Sequence, residues 1–271
     1  MLTLLSVLKR TDMDTAVILL SGGMDSTIAL YWALHEPSIK KIDALAIDYS
    51  QRHKNEVLAA GYVWHRSLSS DKKEKLNFIQ TIVLPKGVLV GASSLLELSH
   101  PVSEYENVEE AKKHNTSDPS FIPARNSVFI ALAANYLLTI SPEGGLIVTG
   151  GRGRALGPGG GFADGSPEFA DAMSTALSVG TFGVPTKIDD PRKVVVWDPL
   201  NRPGRSRKDA LELAETLPGC WEALGWSMTC FQGKEPPCGK CLPCLRRAEG
   251  FKEFGKPDPL IERLKRTGQM A

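Results

Sequence analysis

No apolar run in the sequence approaches the roughly 20 residues that a bilayer-crossing helix needs. A membrane-spanning helix is therefore not expected. The opening stretch, residues 1–13, is apolar but short. It has neither a basic leading segment nor a small-residue cleavage site, so it reads as a surface extension rather than a secretory signal. Net charge is missing too. Lys and Arg number 32 against 31 Asp and Glu, which leaves +1. No global field draws the chain to nucleic acid or to an anionic membrane, and neither is an expected partner. Cysteine is scarce, with five in the chain, and four of these crowd into Cys230, Cys238, Cys241 and Cys244. Without an export signal that clustering argues for metal rather than disulfides, and a cytoplasmic address is expected. Cys220 stands apart and reads as a small buried apolar residue.

What is present suits an enzyme with a real core. The chain has 271 residues, 42% hydrophobic and 23% charged, enough for one large α/β domain with a small appendage. Apolar β-branched runs alternate with helical patterns. Strands are predicted at Thr15–Leu20, Ile42–Asp48, Phe78–Leu84, Leu146–Thr149 and Val194–Trp197. Helices are predicted over about 25–34, 54–68 and 126–140. This order predicts an open, doubly wound parallel sheet, whose ligands bind beyond the carboxyl ends of the strands. The expected division is an extension over 1–13, a nucleotide-binding α/β domain over 14–200 and a helical, metal-bound region over 201–271. Ser206 and Asp209 are spaced to cap a helix over 208–217. Residues 85–122 look irregular, and residues 150–167 are very rich in glycine.

The strongest local signal is Leu20-Ser21-Gly22-Gly23-Met24-Asp25-Ser26-Thr27, directly after the first strand and opening a helix. Glycines allow a sharp turn and a close approach to a ligand. Free amides at a helix start favour an anion. Ser21, Ser26 and Thr27 add hydroxyls. Asp25 beside a phosphate requires a bridging cation, for which Mg²⁺ is the natural choice. The run lacks the Lys of a Walker A loop and the spacing of a dinucleotide fingerprint. It resembles instead the SGGxDS loop of the PP-loop ATP pyrophosphatases. That resemblance implies ATP as the bound nucleotide and transfer of AMP to an oxygen, with release of pyrophosphate.

Cys238, Cys241 and Cys244 form a C-x2-C-x2-C run, and Cys230 precedes it by eight positions. Four thiolates can close a tetrahedral Zn²⁺ site with no open position, a structural rather than catalytic metal. An iron–sulfur cluster or redox-active thiols are the other readings of such a run.

Two further segments lie between these motifs. One runs Asp48-Tyr49-Ser50-Gln51-Arg52-His53-Lys54-Asn55-Glu56, and the other Phe121-Ile122-Pro123-Ala124-Arg125-Asn126-Ser127-Val128-Phe129. Singly each is weak: Arg52 and Glu56 could be an i,i+4 helix pair, His53 a structural histidine, Arg125 a solvated helix start. In order, and with the loop and the cysteines, they resemble the 7-cyano-7-deazaguanine synthase (QueC) family over about residues 16–251. Ser50 stands where that family carries glycine. The resemblance implies adenylation of the carboxylate of 7-carboxy-7-deazaguanine, attack by ammonia to give the amide, and a second activation that dehydrates the amide to the nitrile. It implies catalytic roles for Asp25, Arg52, His53 and Arg125, and substrate contacts from Tyr49, Gln51, Arg125, Asn126, Phe162 and Asp164. A homodimer is the expected assembly.

One segment departs from the family pattern. Pro158 and Ser166 stand where the family carries Asp and Arg, while Asp164 and the closing Pro167-Glu168-Phe169 remain. A relative that joins the activated carboxylate to an amine other than ammonia, on a protein or a small molecule, is therefore a second expectation. A tRNA-modifying PP-loop enzyme is a third, weakened by the balanced charge, and a non-catalytic nucleotide sensor a fourth.

Overall fold

The computed structural model describes residues 13–96, 100–113, 120–151, 163–184, 191–201 and 206–270. Phe162, Pro158 and most of the glycine-rich run lie outside these, as do residues 1–12. The described strands are β1 (Thr15–Leu19), β2 (Lys41–Asp48), β3 (Leu76–Val83), β4 (Gly144–Val148) and β5 (Lys193–Trp197). They form one sheet in the order β3-β2-β1-β4-β5, every pair parallel. The expected doubly wound sheet is thus observed. Its connections are helical where described: α1 (Met24–His35) follows β1, α2 (Asn55–Ser67) follows β2, and α4 (Arg125–Ile140) precedes β4. A short α3 (Val108–Lys113) interrupts the stretch expected to be irregular.

The sheet is covered on both faces because its central strands are apolar on both. In β2, Ala44 and Ala46 face one core and Leu45 the other. The first core lies under α1 and α2, with Leu30, Leu34, Val63 and Trp64 buried in it. The second lies under α4 and α5 (Pro167–Phe182), with Ile130, Ala133 and Leu137 buried and Phe169 and Met173 packed alongside. Helix α5 has no counterpart in the sequence pattern, because none of its residues is fully buried. Its start was still written locally. Ser166 caps it by accepting from the Phe169 amide at 3.1 Å, and Pro167 occupies the first turn.

The last third adds α6 (Arg207–Thr216), α7 (Cys220–Leu224), α8 (Leu242–Phe254) and α9 (Pro259–Arg266). The expected capping box opens α6: Ser206 Oγ accepts from the Asp209 amide, and the Asp209 carboxylate accepts from the Ser206 amide. Helices α6, α7 and α8 share the first core, while Leu260 and Leu264 of α9 pack with Cys230, Cys241 and Cys244. Ala210, Leu211, Ala214, Cys220, Leu224 and Phe251 are buried with Leu30 and Leu34 of α1. Arg247 of α8, 3% exposed, joins α9 to the rest. It donates to both Asp258 oxygens at 2.6 and 2.9 Å, to Ser227 Oγ at 2.9 Å and to the Leu224 carbonyl at 3.0 Å. A buried guanidinium is tolerable only when it is so fully engaged. No helix among the described residues is long and apolar enough to cross a membrane.

Candidate active site

A cavity of about 260 Å³ opens at the carboxyl ends of β1, β2 and β4. Its lining draws on the phosphate-type loop (Ser21, Ser26), the turn after β2 (Tyr49, Gln51, His53), the start of α4 (Arg125, Asn126) and the turn before α5 (Asp164). Four segments separated in sequence thus meet at one place, where the topology puts ligands.

On the loop side the wall is built from backbone. Gly22 has φ +90°, and a Cβ there would lie 2.1 Å from the Glu56 carbonyl oxygen and 2.4 Å from the Ala60 nitrogen. Gly150, after β4, is equally confined, with a Cβ reaching 2.5 Å from the Ser26 nitrogen. These glycines let α2 and the β4 turn close onto the loop, in addition to any ligand approach. The hydroxyls brace the same turn. Thr27 Oγ1 donates to the Gly23 carbonyl at 2.8 Å and Ser26 Oγ to the same oxygen at 3.1 Å. Ser21 Oγ accepts from the Gly23 amide at 3.2 Å. Leu20 and Met24 are core residues with no exposure. Gly23 is the N-cap of α1 and offers no side-chain cap, so the helix start presents amides beside Ser21 and Ser26. Asp25 turns toward α6, where Arg207 Nη1 stands 3.4 Å from its Oδ1, and it is not among the lining residues.

The opposite wall is built from side chains. Ala124, with φ +57°, precedes Arg125 and turns the chain into α4. Arg125 lies 5.9 Å over the Phe129 ring and donates from Nε to Asn126 Oδ1 at 3.2 Å. Asn126 Nδ2 donates to the Asp164 carbonyl at 3.1 Å. Burial raises the Asp164 carboxyl above its usual range, against the opposing pull of the Arg125 charge. Its Oδ1 is buried without a hydrogen-bond partner among the described residues. Burial likewise pushes the Tyr49 phenol up to about 12, with Arg125 again opposing.

Between the walls, His53 Nε2 lies 2.9 Å from Glu56 Oε2. Its Nδ1 is buried and has no partner among the described residues. Glu56 therefore pairs with His53 three positions earlier, not with Arg52. Arg52 points elsewhere: Nε donates to the Ser94 carbonyl at 3.0 Å and Nη2 to that of His100 at 2.7 Å. Gln51 spends its amide on the turn, accepting from the Tyr49 amide at 2.9 Å and donating to the Ile47 carbonyl at 3.4 Å.

The four cysteines converge beside this cavity. Their Sγ atoms all lie within 4.8 Å of one another, and Cys238 and Cys244 Sγ are 3.9 Å apart. A tetrahedral Zn²⁺ with bonds of about 2.3 Å needs sulfur separations of about 3.8 Å. The donor set therefore fits such an ion. Mutual hydrogen bonding splits the thiols, pulling Cys230 far below its usual range and holding Cys241 and Cys244 above theirs.

The family model for "Queuosine biosynthesis protein QueC" matches residues 15–255. The chain belongs to the QueC family. Among its curated relatives, the 7-cyano-7-deazaguanine synthase of Chromobacterium violaceum is 33% identical over 94% of this chain and 97% of its own length. Those of Laribacter hongkongensis and Thermoplasma volcanium are each 32% identical, over 93% and 90% of this chain and 96% and 89% of their own lengths. For a QueC family member the departure at Ser166 has a local account, since that hydroxyl caps α5. Glu56, Phe129 and Phe169 stood within the motif segments without an assigned role, and sequence reasoning missed the lining residues Asp198 and Phe231. Asp198 was findable, because it directly follows β5 at a strand's carboxyl end. Phe231 carries one signal, its place next to Cys230.

Proposed function

We propose that this protein is an ATP-dependent 7-cyano-7-deazaguanine synthase, a carbon–nitrogen ligase acting on 7-carboxy-7-deazaguanine and ammonia. The observation that carries the proposal is the meeting of Ser21, Ser26, His53, Arg125 and Asp164 around one cavity at the uncapped start of α1. A carboxylate resists attack because its leaving group would be oxide. Transfer of AMP from ATP to the carboxylate releases pyrophosphate and creates a leaving group. Attack by ammonia then gives the amide, AMP and one proton. A second ATP activates the amide oxygen, which leaves within AMP as the nitrile forms. Amides at the α1 start and the Arg125 guanidinium would stabilise the negative charge on the transferring groups. His53, held by Glu56 through Nε2, would accept the ammonia proton at Nδ1. The Asp164 carboxyl and Asn126 would bind the deazaguanine. Gln51 and Arg52 would act by position, the first holding the Tyr49 turn and the second the 94–100 loop. Mg²⁺ would accompany ATP, with the Asp25 carboxylate, whose Oδ1 stands 3.4 Å from Arg207 Nη1, helping to seat it. The cysteines would hold Zn²⁺, whose closed coordination supplies a structural crosslink.

Mass spectrometry after incubation with ATP, Mg²⁺, ammonium and 7-carboxy-7-deazaguanine tests this. Nitrile, AMP and pyrophosphate are expected. The changes at Pro158 and Ser166 favour a second reading, in which another amine is the acceptor. Accumulated adenylate with no nitrile would support it. Unchanged deazaguanine from protein that binds ATP would refute the substrate assignment, and tight, salt-sensitive tRNA binding would point to an RNA-modifying enzyme.

A further inference from the structure

The cysteine cluster and the cavity share a segment, residues 228–233. The Met228 amide donates to the Gly22 carbonyl of the loop at 2.9 Å. Cys230 is 2% exposed, and its turn is closed by the Gly233 amide, which donates to the Cys230 carbonyl at 2.9 Å. Asn55 at the head of α2 donates to the Gly233 carbonyl at 2.6 Å. Gly233 also lies so close to the His53 backbone that a Cβ there would be 3.2 Å from its Cα. Between these ties Phe231 lines the cavity, its ring 5.5 Å from the His53 ring at 41°. Phe231 packs against two apolar clusters at once. One holds Cys230, Cys241, Cys244 and Met228, the other Tyr49, Leu95 and Ile122 beneath the cavity.

Only Cys230 among the four cysteines belongs to this segment. The other three lie at 238–244, on the turn into α8. An ion joining all four sulfurs therefore ties the Phe231 wall to α8. Apart from such an ion, the Cys238 amide reaches back to Cys230 Sγ through a weak bond of 3.5 Å.

We propose that Phe231 is a positioning residue through which the metal centre orders the cavity, so that metal occupancy and ligand occupancy are thermodynamically linked. The ion sets Cys230, Cys230 sets Phe231, and Phe231 fixes the His53 ring and, through the Met228 tie, the loop. Linkage is reciprocal, so a ligand that needs the ordered wall must also retain the metal. The choice of ligand probes rests on the proposed function, but the first test needs none.

Hydrogen exchange of ligand-free, zinc-loaded protein is compared with that of the Phe231→Ala variant, after metal analysis shows one zinc per chain in both. Faster exchange at residues 21–27 and 53–60, with β4 and β5 unchanged, is expected in the variant. Equal exchange in the two proteins would overturn the proposal, as would absence of metal from the wild-type protein. A second experiment follows zinc release to a chromophoric chelator, with and without a non-hydrolysable ATP analogue or 7-carboxy-7-deazaguanine, each first shown to bind by calorimetry. A bound probe should slow release at least about fivefold in wild type, the lower end of ordinary coupling, and not in Phe231→Ala. Equal protection in both proteins would overturn the linkage. Failure of the deazaguanine alone to bind would count against the proposed substrate and leave the nucleotide arm to decide the linkage.

Discussion

The two walls of the cavity are made of different material. The wall formed by residues 21–27 is backbone, wedged against α2 and the β4 turn by glycines with no room for a methyl group. The wall of Arg125, Asn126 and Asp164 is side chain, with a buried carboxylate oxygen left open among the described residues. The first wall is rigid because close packing leaves no alternative. The second stores unsatisfied polarity, which costs stability and is recovered when a ligand completes it. The proposed activity, which would grip a nucleotide and read a heterocycle, needs both kinds.

The sharpest way to break this contrast is Gly22→Ala. The substitution adds a left-handed strain and a collision 2.1 Å from the Glu56 carbonyl, so a loss of about 3 kcal/mol is expected. Denaturant unfolding would measure it, and a near-neutral result would show that the loop yields. On the other wall, Arg125→Ala should leave the unfolding midpoint almost unmoved. It should cut kcat/KM about 100-fold, the scale of one lost charge-stabilising donor. Equal losses of stability and activity would erase the distinction between the walls.

Glu56→Gln should have a smaller effect, about tenfold in kcat. It should lower kcat with little change in KM for ammonium, because the contact that orients His53 is weakened. A matching loss of unfolding stability would make Glu56 a packing residue of the loop. Smallest is Asp164→Asn. The folded Asp164 carboxyl is raised by burial, so the folded state binds its proton more tightly than the unfolded chain does. Stability from this group is fully present below the unfolded value near 4 and is lost as pH rises through the folded one. The variant should therefore be slightly more stable than wild type at neutral pH, with the gap closing in acid. Urea titrations at several pH values check the sign.

The contrast also decides what could be read in advance. Ser-Gly-Gly-x-Asp-Ser was legible because backbone constraints leave a short, local signature. The same signature hid the division of labour within it. Thr27 and Ser26 brace the turn, Leu20 and Met24 fill the core, and Asp25 faces Arg207 across 182 positions of sequence. The sheet was legible because β1, β2, β4 and β5 are short apolar runs. Helix α5 was not, since a half-buried helix over the sheet edge shows a weak apolar stripe. His53 and Arg125 were found through their motif neighbours. The partnership of His53 with Glu56 could not be told from an Arg52 pair, because i,i+3 and i,i+4 spacings are equally plausible on paper. Arg52 and Gln51 show the limit of motif reading: both sit in the motif, yet their side chains are spent on backbone carbonyls and amides.

Helices α6, α7 and α8 share one apolar interior with α1, with Leu211, Leu224 and Phe251 in the same cluster as Leu30 and Leu34. A protein stopped near residue 200 would thus leave the outer side of α1 bare and greasy, and would be expected to aggregate rather than persist as a smaller nucleotide-binding unit. The tail is inherited with the sheet as a single piece, so exchange of tails between relatives must carry the matching α1 surface with it.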